Sequence, residues 1–146
     1  MKISYYNEKH LQACADLLTH YYNQPDFGCH FTTKSATLYL QELIFTPRFV
    51  GFLLFDKKDL LGFAFSHMKT WSDKNELQLN EFIIKPDATQ QGYGNKLLEF
   101  IETYASSYEL SGITLATNTL SLIDFCRKNN FLEHDITFLY KGIKPA

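Results

Sequence analysis

Apolar and polar positions recur along this chain with two periods, and they divide it into short elements. A brief apolar run over residues 3–6 predicts a first strand. Leu11, Cys14, Ala15, Leu18, Tyr21 and Tyr22 then recur three or four residues apart, the spacing of a helix with one buried face. Asn7, just before them, suits an N-cap because its side chain accepts from an early N–H. Pro25, Asp26 and Gly28 break this helix. A second helical face comes next at Ala36, Tyr39, Leu40, Leu43 and Ile44, with Thr33 as its expected cap and Pro47 as its stop. From residue 48 the period falls to two. Residues 48–55, 60–69 and 76–84 read as three antiparallel strands, joined by polar tips at 56–59 and 72–75. On the middle strand Phe63, Phe65 and His67 share one face, and Gly62, Ala64, Ser66 and Met68 the other.

The third of these strands ends in Phe82, Ile83 and Ile84, types that suit a pleated, buried surface. Pro86 and Asp87 stop it. Gln90, Gln91, Gly92, Tyr93, Gly94 and Asn95 come next, and then a helix whose apolar stripe is Tyr93, Leu97, Leu98, Ile101, Tyr104 and Ala105. A strand, a glycine-containing turn and a helix in that order make an anion site. The first helical turn offers backbone N–H groups at the positive end of the dipole, and glycine lets a ligand approach them. A Walker loop and a Rossmann turn both need glycines that are absent here; Leu97 stands where a third Rossmann glycine would be. Beyond this helix a short strand is expected at 113–116. Ser121 with Asp124 reads as a capping box for a last helix lined by Leu122, Phe125 and Cys126. Asn129 and Asn130 end that helix, and strands at 131–133 and 137–143 finish the sheet. The order β-α-α-β-β-β-α-β-α-β-β describes an α+β layer structure with a mixed central sheet flanked by helices.

The run Ile84-x-Pro86-x-x-x-Gln90-Gln91-Gly92-Tyr93-Gly94-x-x-Leu97-Leu98 resembles the acetyl-CoA signature of the GNAT N-acetyltransferases, with Thr89 in place of the usual Arg or Gln. The element order agrees with the GNAT fold along nearly the whole chain. The resemblance implies a single GNAT-like domain over 1–146 that transfers an acetyl group from acetyl-CoA, as cosubstrate and without a metal, to a primary amine by direct attack. Gln90, Gln91, Gly92, Tyr93, Gly94 and Asn95 would hold the pyrophosphate, and Phe82, Ile83 and Ile84 would align the pantetheine arm. A second family motif near the C-terminus maps a CoA-contacting Asn to Asn118. It maps the usual general-acid Tyr to Cys126, and the usual glycine of the motif to Asn130. A thiol with a pKa near 8.5 still carries a proton to donate; a small core residue is the other reading of Cys126. An acyl-CoA-binding module without catalysis is the alternative function.

For the base, Asn80 and Glu81 precede the pantetheine segment and point to opposite faces; Glu81 is the ionisable one. His67 is the second candidate. Tyr21, Tyr22, Phe27, His30 and Phe31 fall in the acceptor-groove region of the family.

Composition fits this picture. The 146 residues suit one domain of ordinary size, and 45% hydrophobic and 16% aromatic residues supply a large core. A net charge of −2 gives no basic footprint for nucleic acid. The apolar runs are too short for a membrane span, and the N-terminal stretch lacks the apolar core of a signal peptide. Cys14, Cys29 and Cys126 are odd in number and lack metal-ligand spacing, which fits a reduced, cytoplasmic compartment. The expected partner is a small-molecule or peptide amine, with a homodimer left open.

Overall fold

The computed structural model describes residues 1–88 and 91–145. It comprises two compact units, Met1–Ala116 and Thr117–Ala146.

The first unit is a five-stranded sheet with helices on both faces. Its elements are β1 (Lys2–Tyr5), α1 (Leu11–Tyr22), α2 (Thr33–Ile44), β2 (Phe49–Asp56), β3 (Asp59–Trp71), β4 (Lys74–Ile84), α3 (Tyr93–Ser107) and β5 (Ile113–Leu115). The strands lie in sequence order; β1 to β4 pair antiparallel, and β5 joins β4 in parallel. Only the β4-to-β5 link needs a crossover, and α3 supplies it.

Alternation along the strands divides the core. Leu53, Phe63, Phe65 and Ile83 face Cys14, Ala15, Leu17 and Leu18 of α1 and Ala36 and Leu40 of α2. On the other face, Phe52 meets the rings of Phe100 and Tyr104 on α3 at 6.0 and 5.3 Å, and Leu97, Leu98 and Ile101 are buried along the same helix. Adjacent residues Phe52 and Leu53 thus serve opposite layers, as the period-two geometry requires. At Gly62 the sheet tolerates no side chain. A Cβ there would sit 2.8 Å from the Ile83 carbonyl oxygen, so Gly62 lets β3 press close against the end of β4.

The second unit holds α4 (Leu120–Lys128). Asn129 caps it, and Asn130 adopts a left-handed φ of 68°. The Phe131 N–H donates to the Cys126 carbonyl at 3.0 Å, which closes the helix end.

Several local expectations shift. Asn7 caps a 3₁₀ turn, Glu8–His10, that leads into α1, its Oδ1 accepting from Lys9 N–H at 3.0 Å. Thr32, not Thr33, caps α2, because Ser35 stands three residues on and completes a reciprocal box. Thr119 takes the cap of α4, so Ser121 lies inside the helix and forms no box with Asp124. The carboxylate of Asp124 lies instead by Arg127, at 3.5 Å. Most importantly, the strands expected at 131–133 and 137–143 do not form: among the described residues no strand comes after β5. Periodicity names a face that wants burial, but a strand also needs a partner for its N–H and C=O groups.

The α2 cap gives a direct check. Thr32→Ala is expected to cost about 1 kcal/mol in urea denaturation, within the usual range for a lost N-cap. Thr33→Ala, inside the first turn, is expected to stay within about 0.5 kcal/mol of the parent, as surface changes do.

Candidate active site

The site begins with an irregularity in β4. The β3–β4 register steps from Phe65↔Glu81 to Ser66↔Leu79, so Asn80 is an extra residue, a β-bulge. The bulge divides the two base candidates. Asn80 Nδ2 lies 2.9 Å from His67 Nδ1, and Gln78 Nε2 donates to Asn80 Oδ1 at 3.1 Å. Burial lowers the His67 pKa, with smaller contributions from Lys69 and Arg48. His67 is thus engaged along the sheet, in a chain that does not include Glu81.

Glu81 turns toward α1 and α2. It is only 7% exposed. The Tyr22 hydroxyl donates to its two carboxylate oxygens at 2.8 and 2.7 Å, and the Tyr39 hydroxyl donates to Oε1 at 2.9 Å. Burial raises the Glu81 pKa above the ordinary carboxylate value, and the two phenol hydrogen bonds pull partly the other way. Burial also raises both phenols, and the neighbouring Glu81 charge and hydrogen bond raise them further. The phenols therefore stay protonated and keep donating.

Aromatic rings surround this cluster. Tyr21 and Tyr22 meet edge to face at 5.1 Å; Phe27 lies 4.9 Å from Tyr21 and 5.6 Å from Tyr22. Phe31 bridges Tyr22 at 5.8 Å and Tyr39 at 6.0 Å. Four of the five residues expected at the acceptor groove thus gather around Glu81, while His30 is exposed. Tyr39 reads from the sequence as core only. Its signal is nonetheless there: a buried Tyr needs a partner for its hydroxyl, and a strand carboxylate is a group able to accept.

Past the bulge the strands part. β4 pairs with β5 at Leu77↔Ile113, Gln78↔Thr114 and Leu79↔Leu115, and residues 80–84 of β4 run on beyond that ladder. Phe82 and Ile83 are buried there and Ile84 is half-buried. After a 3₁₀ turn at Pro86–Ala88 the chain reaches Gln91 and Gly92; Gln90 lies outside the described residues. Gly92 is the N-cap of α3 with φ 81°, a left-handed conformation that suits glycine, and a Cβ there would meet open space. Among the described residues, no side chain caps this helix. Tyr93, Gly94 and Asn95 form its first turn, the part of a helix best suited to an anion.

In the second unit, Asn118 is exposed just before the Thr119 cap, and Cys126 is half-buried on α4. Burial raises the Cys126 pKa. Its thiol is thus kept protonated, which suits a donor better than a nucleophile. Among the described residues, no group of three His, Cys, Asp or Glu side chains could hold a metal ion, and no helix is long and apolar enough to cross a membrane.

Solved structures share this architecture. A probable acetyltransferase superposes with a TM-score of 0.79 at 19% identity, over all of both chains. An aminoglycoside acetyltransferase from an uncultured soil metagenomic sample, in complex with sisomicin, gives 0.75 at 17% identity, over 98% of this chain and 96% of the other. The enzyme AAC(6')-Iy, in complex with a bisubstrate analogue of CoA and acetylneamine, gives 0.73 at 14% identity, over 98% of each chain. At such identities these likenesses show the fold. No curated protein matches the chain in sequence. Residues 11–131, however, match the family model described as Acetyltransferase (GNAT) family, across most of the chain and both units. The chain is an acyltransferase that belongs to the GNAT acetyltransferase family.

Proposed function

We propose that this chain uses acetyl-CoA to acetylate a primary amine on a small molecule, by direct attack of the amine on the thioester. The observation that carries this reading is the Glu81 carboxylate, held by two phenols in an aromatic surround where β4 leaves β5. An amine arrives as an ammonium and attacks only when neutral, so a base must take its proton. Glu81, with its pKa raised by burial, is that base. Tyr22 and Tyr39 fix the carboxylate, and the rings of Tyr21, Phe27 and Phe31 suit a cationic guest. Two of the similar structures hold an aminoglycoside or an analogue of one, which supports a small polyamine-like acceptor over a peptide.

The pyrophosphate of CoA would lie on backbone N–H groups of residues 90–95, of which Gln90 is outside the described residues and the rest lead into α3. The pantetheine arm would run along Phe82, Ile83 and Ile84, where a backbone N–H polarises the thioester carbonyl. When the tetrahedral intermediate collapses, the C–S bond breaks and the thiolate needs a proton; the family resemblance makes Cys126 its proposed donor and Asn118 a proposed CoA contact. One acetyltransferase domain would span both units, since the family match runs through their boundary. The compartment we infer is the cytoplasm, where thiols such as Cys14, Cys29 and Cys126 stay free. Thiol release on mixing with acetyl-CoA and a panel of amines, aminoglycosides included, tests the whole reading. Binding of CoA with no turnover of any amine would favour the binding module.

Glu81→Gln is expected to lower kcat/KM by roughly 10²–10⁴ with CoA affinity unchanged, and to abolish the activity limb that rises as the carboxylate ionises. Stability offers a second readout. A carboxyl whose folded pKa is raised stabilises the fold below its unfolded value, and that contribution is lost as pH rises through the folded value. The parent melting temperature should therefore fall across that window, and Glu81→Gln should flatten the slope. Near wild-type activity of Glu81→Gln at every pH would move the role to water or His67.

For the cosubstrate site, Gly92→Val should weaken CoA binding well beyond twofold by calorimetry. The variant should also lose about 1–2 kcal/mol of stability, because a Cβ is strained at this φ. CoA affinity within twofold of the parent would mean that the site lies elsewhere.

The donor is tested at Cys126. Cys126→Ala should slow turnover, Cys126→Tyr should preserve or raise it, and acetyl-CoA should protect the thiol from alkylation. Normal turnover by Cys126→Ala would assign the proton to water or to another tyrosine, with Tyr140 next in line.

A further inference from the structure

Residues 23–32 link α1 to α2 without helix or strand, yet they carry Phe27 and Phe31, two of the rings gathered around Glu81. An irregular segment has many conformations open to it, so its rings are only as well placed as the bonds that hold it. Both rings are half-buried, which leaves part of each open to a guest.

Asn23 closes the segment at its root. Its Nδ2 donates to the Phe31 carbonyl oxygen at 2.8 Å, and the Phe31 N–H donates to its Oδ1 at 2.8 Å. A side-chain amide offers a donor and an acceptor side by side, as a peptide group does. Asn23 therefore engages the main chain of Phe31 as a strand neighbour would. Aspartate lacks the donor for this, and serine has a single atom to offer. Both ends of the clasp are anchored. The Asn23 N–H donates to the Thr19 carbonyl oxygen at 3.0 Å, at the end of α1. Phe31 precedes Thr32, which its box with Ser35 ties to the start of α2. Inside the segment, the Phe27 N–H donates to the Gln24 carbonyl oxygen at 3.0 Å, and Gln24 Nε2 donates to the Tyr21 carbonyl oxygen at 2.9 Å.

Taking the rings around Glu81 as the acceptor site, we propose that Asn23 is a positioning residue that selects the amine. It holds Phe27 and Phe31 at one spacing from Tyr21, Tyr22 and Tyr39, and so sets the width of the space that the amine-bearing end of a guest can enter. The hydrogen bonds to Glu81 come from Tyr22 and Tyr39 on the two helices, not from the segment between them. The carboxylate therefore keeps its place when the clasp is broken. Asn23 acts on amine binding and on the choice between amines, and it leaves the chemical step alone.

Steady-state kinetics on the intact chain separate these effects, with slender alkylamines, aralkylamines and polycationic amines as acceptors. Asn23→Ala should raise KM for the best amine about tenfold, in keeping with the loss of two ordinary hydrogen bonds, with kcat and the KM for acetyl-CoA within about twofold of the parent. The ratio of kcat/KM between slender and bulky amines should narrow. Amide exchange gives a reading that needs no turnover: the Phe31 N–H should exchange about tenfold faster in the variant, while amides within α1 and α2 keep parent rates and show that it is folded. Asn7→Ala, which removes the cap of the 3₁₀ turn before α1, is the control for a small loss of stability and should leave the amine KM unchanged. An unchanged amine KM in folded Asn23→Ala overturns the proposal. So does an equal loss in kcat or in the KM for acetyl-CoA, which marks a general loosening, or a Phe31 N–H that exchanges equally fast in both proteins. A parent that acetylates no amine of the panel is a different failure: it overturns the reading of the site, and this selection with it.

Discussion

One buried carboxylate organises the first unit. Glu81 belongs to β4, but its partners are on α1 and α2, so the three hydroxyl contacts tie both helices to the strand that carries the site. Taking a charged carboxylate out of water costs several kcal/mol unless hydrogen bonds replace the lost hydration. Tyr22 and Tyr39 replace only part of it, and the raised pKa of Glu81 records the remainder. That residual cost is chemically useful. A carboxylate that would rather be protonated has a proton affinity closer to that of an amine, which a solvated surface glutamate lacks.

The bulge at Asn80 is what allows this. In an unbroken ladder, alternation would continue from Leu79 through Asn80 to Glu81 with each residue opposed on β3. The extra residue instead delivers Glu81 beside Phe65, on the face that α1 and α2 cover, while Asn80 binds His67. The same short stretch is where β5 stops tracking β4. A local defect in pairing thus sets the direction of Glu81, the proposed base, and the parallel ladder ends within a few residues of it, ahead of the turn that leads into α3.

The sequence makes the layers legible because its periodicities are strong. The stripe of α1, the faces of β3 and the glycine turn before α3 all stand where spacing puts them. Caps are less legible: Thr32 and Thr33 are equivalent until Ser35 is seen to reciprocate with one of them. The bulge is invisible, since nothing in Leu79-Asn80-Glu81 announces a register slip, and Tyr39 cannot be joined to Glu81 without it. The last two expected strands fail for a different reason. The residues 137–143 do have strand character, but whether such a segment finds a ladder depends on an edge elsewhere, and period-two alternation carries no information about that edge.

Backbone and side chains divide the labour of the proposed site. The features that suit CoA are a helix start that no side chain among the described residues caps, a left-handed Gly92 and a strand that outruns its neighbour. These are properties of main-chain geometry, and they depend on few side chains beyond glycine. The features that suit the acceptor are side chains: Glu81, two phenols and the rings about them, drawn largely from α1, α2 and the segment between them. Main-chain geometry follows from the fold, whereas ring identity can change at small cost to the sheet. On the proposed reading, a fold built this way would hold its acetyl donor by the main chain and leave its acceptor to a handful of aromatic positions. That is why the glycine turn points to the family, while the proposed acceptor site rests on residues such as Tyr22, Phe27 and Tyr39.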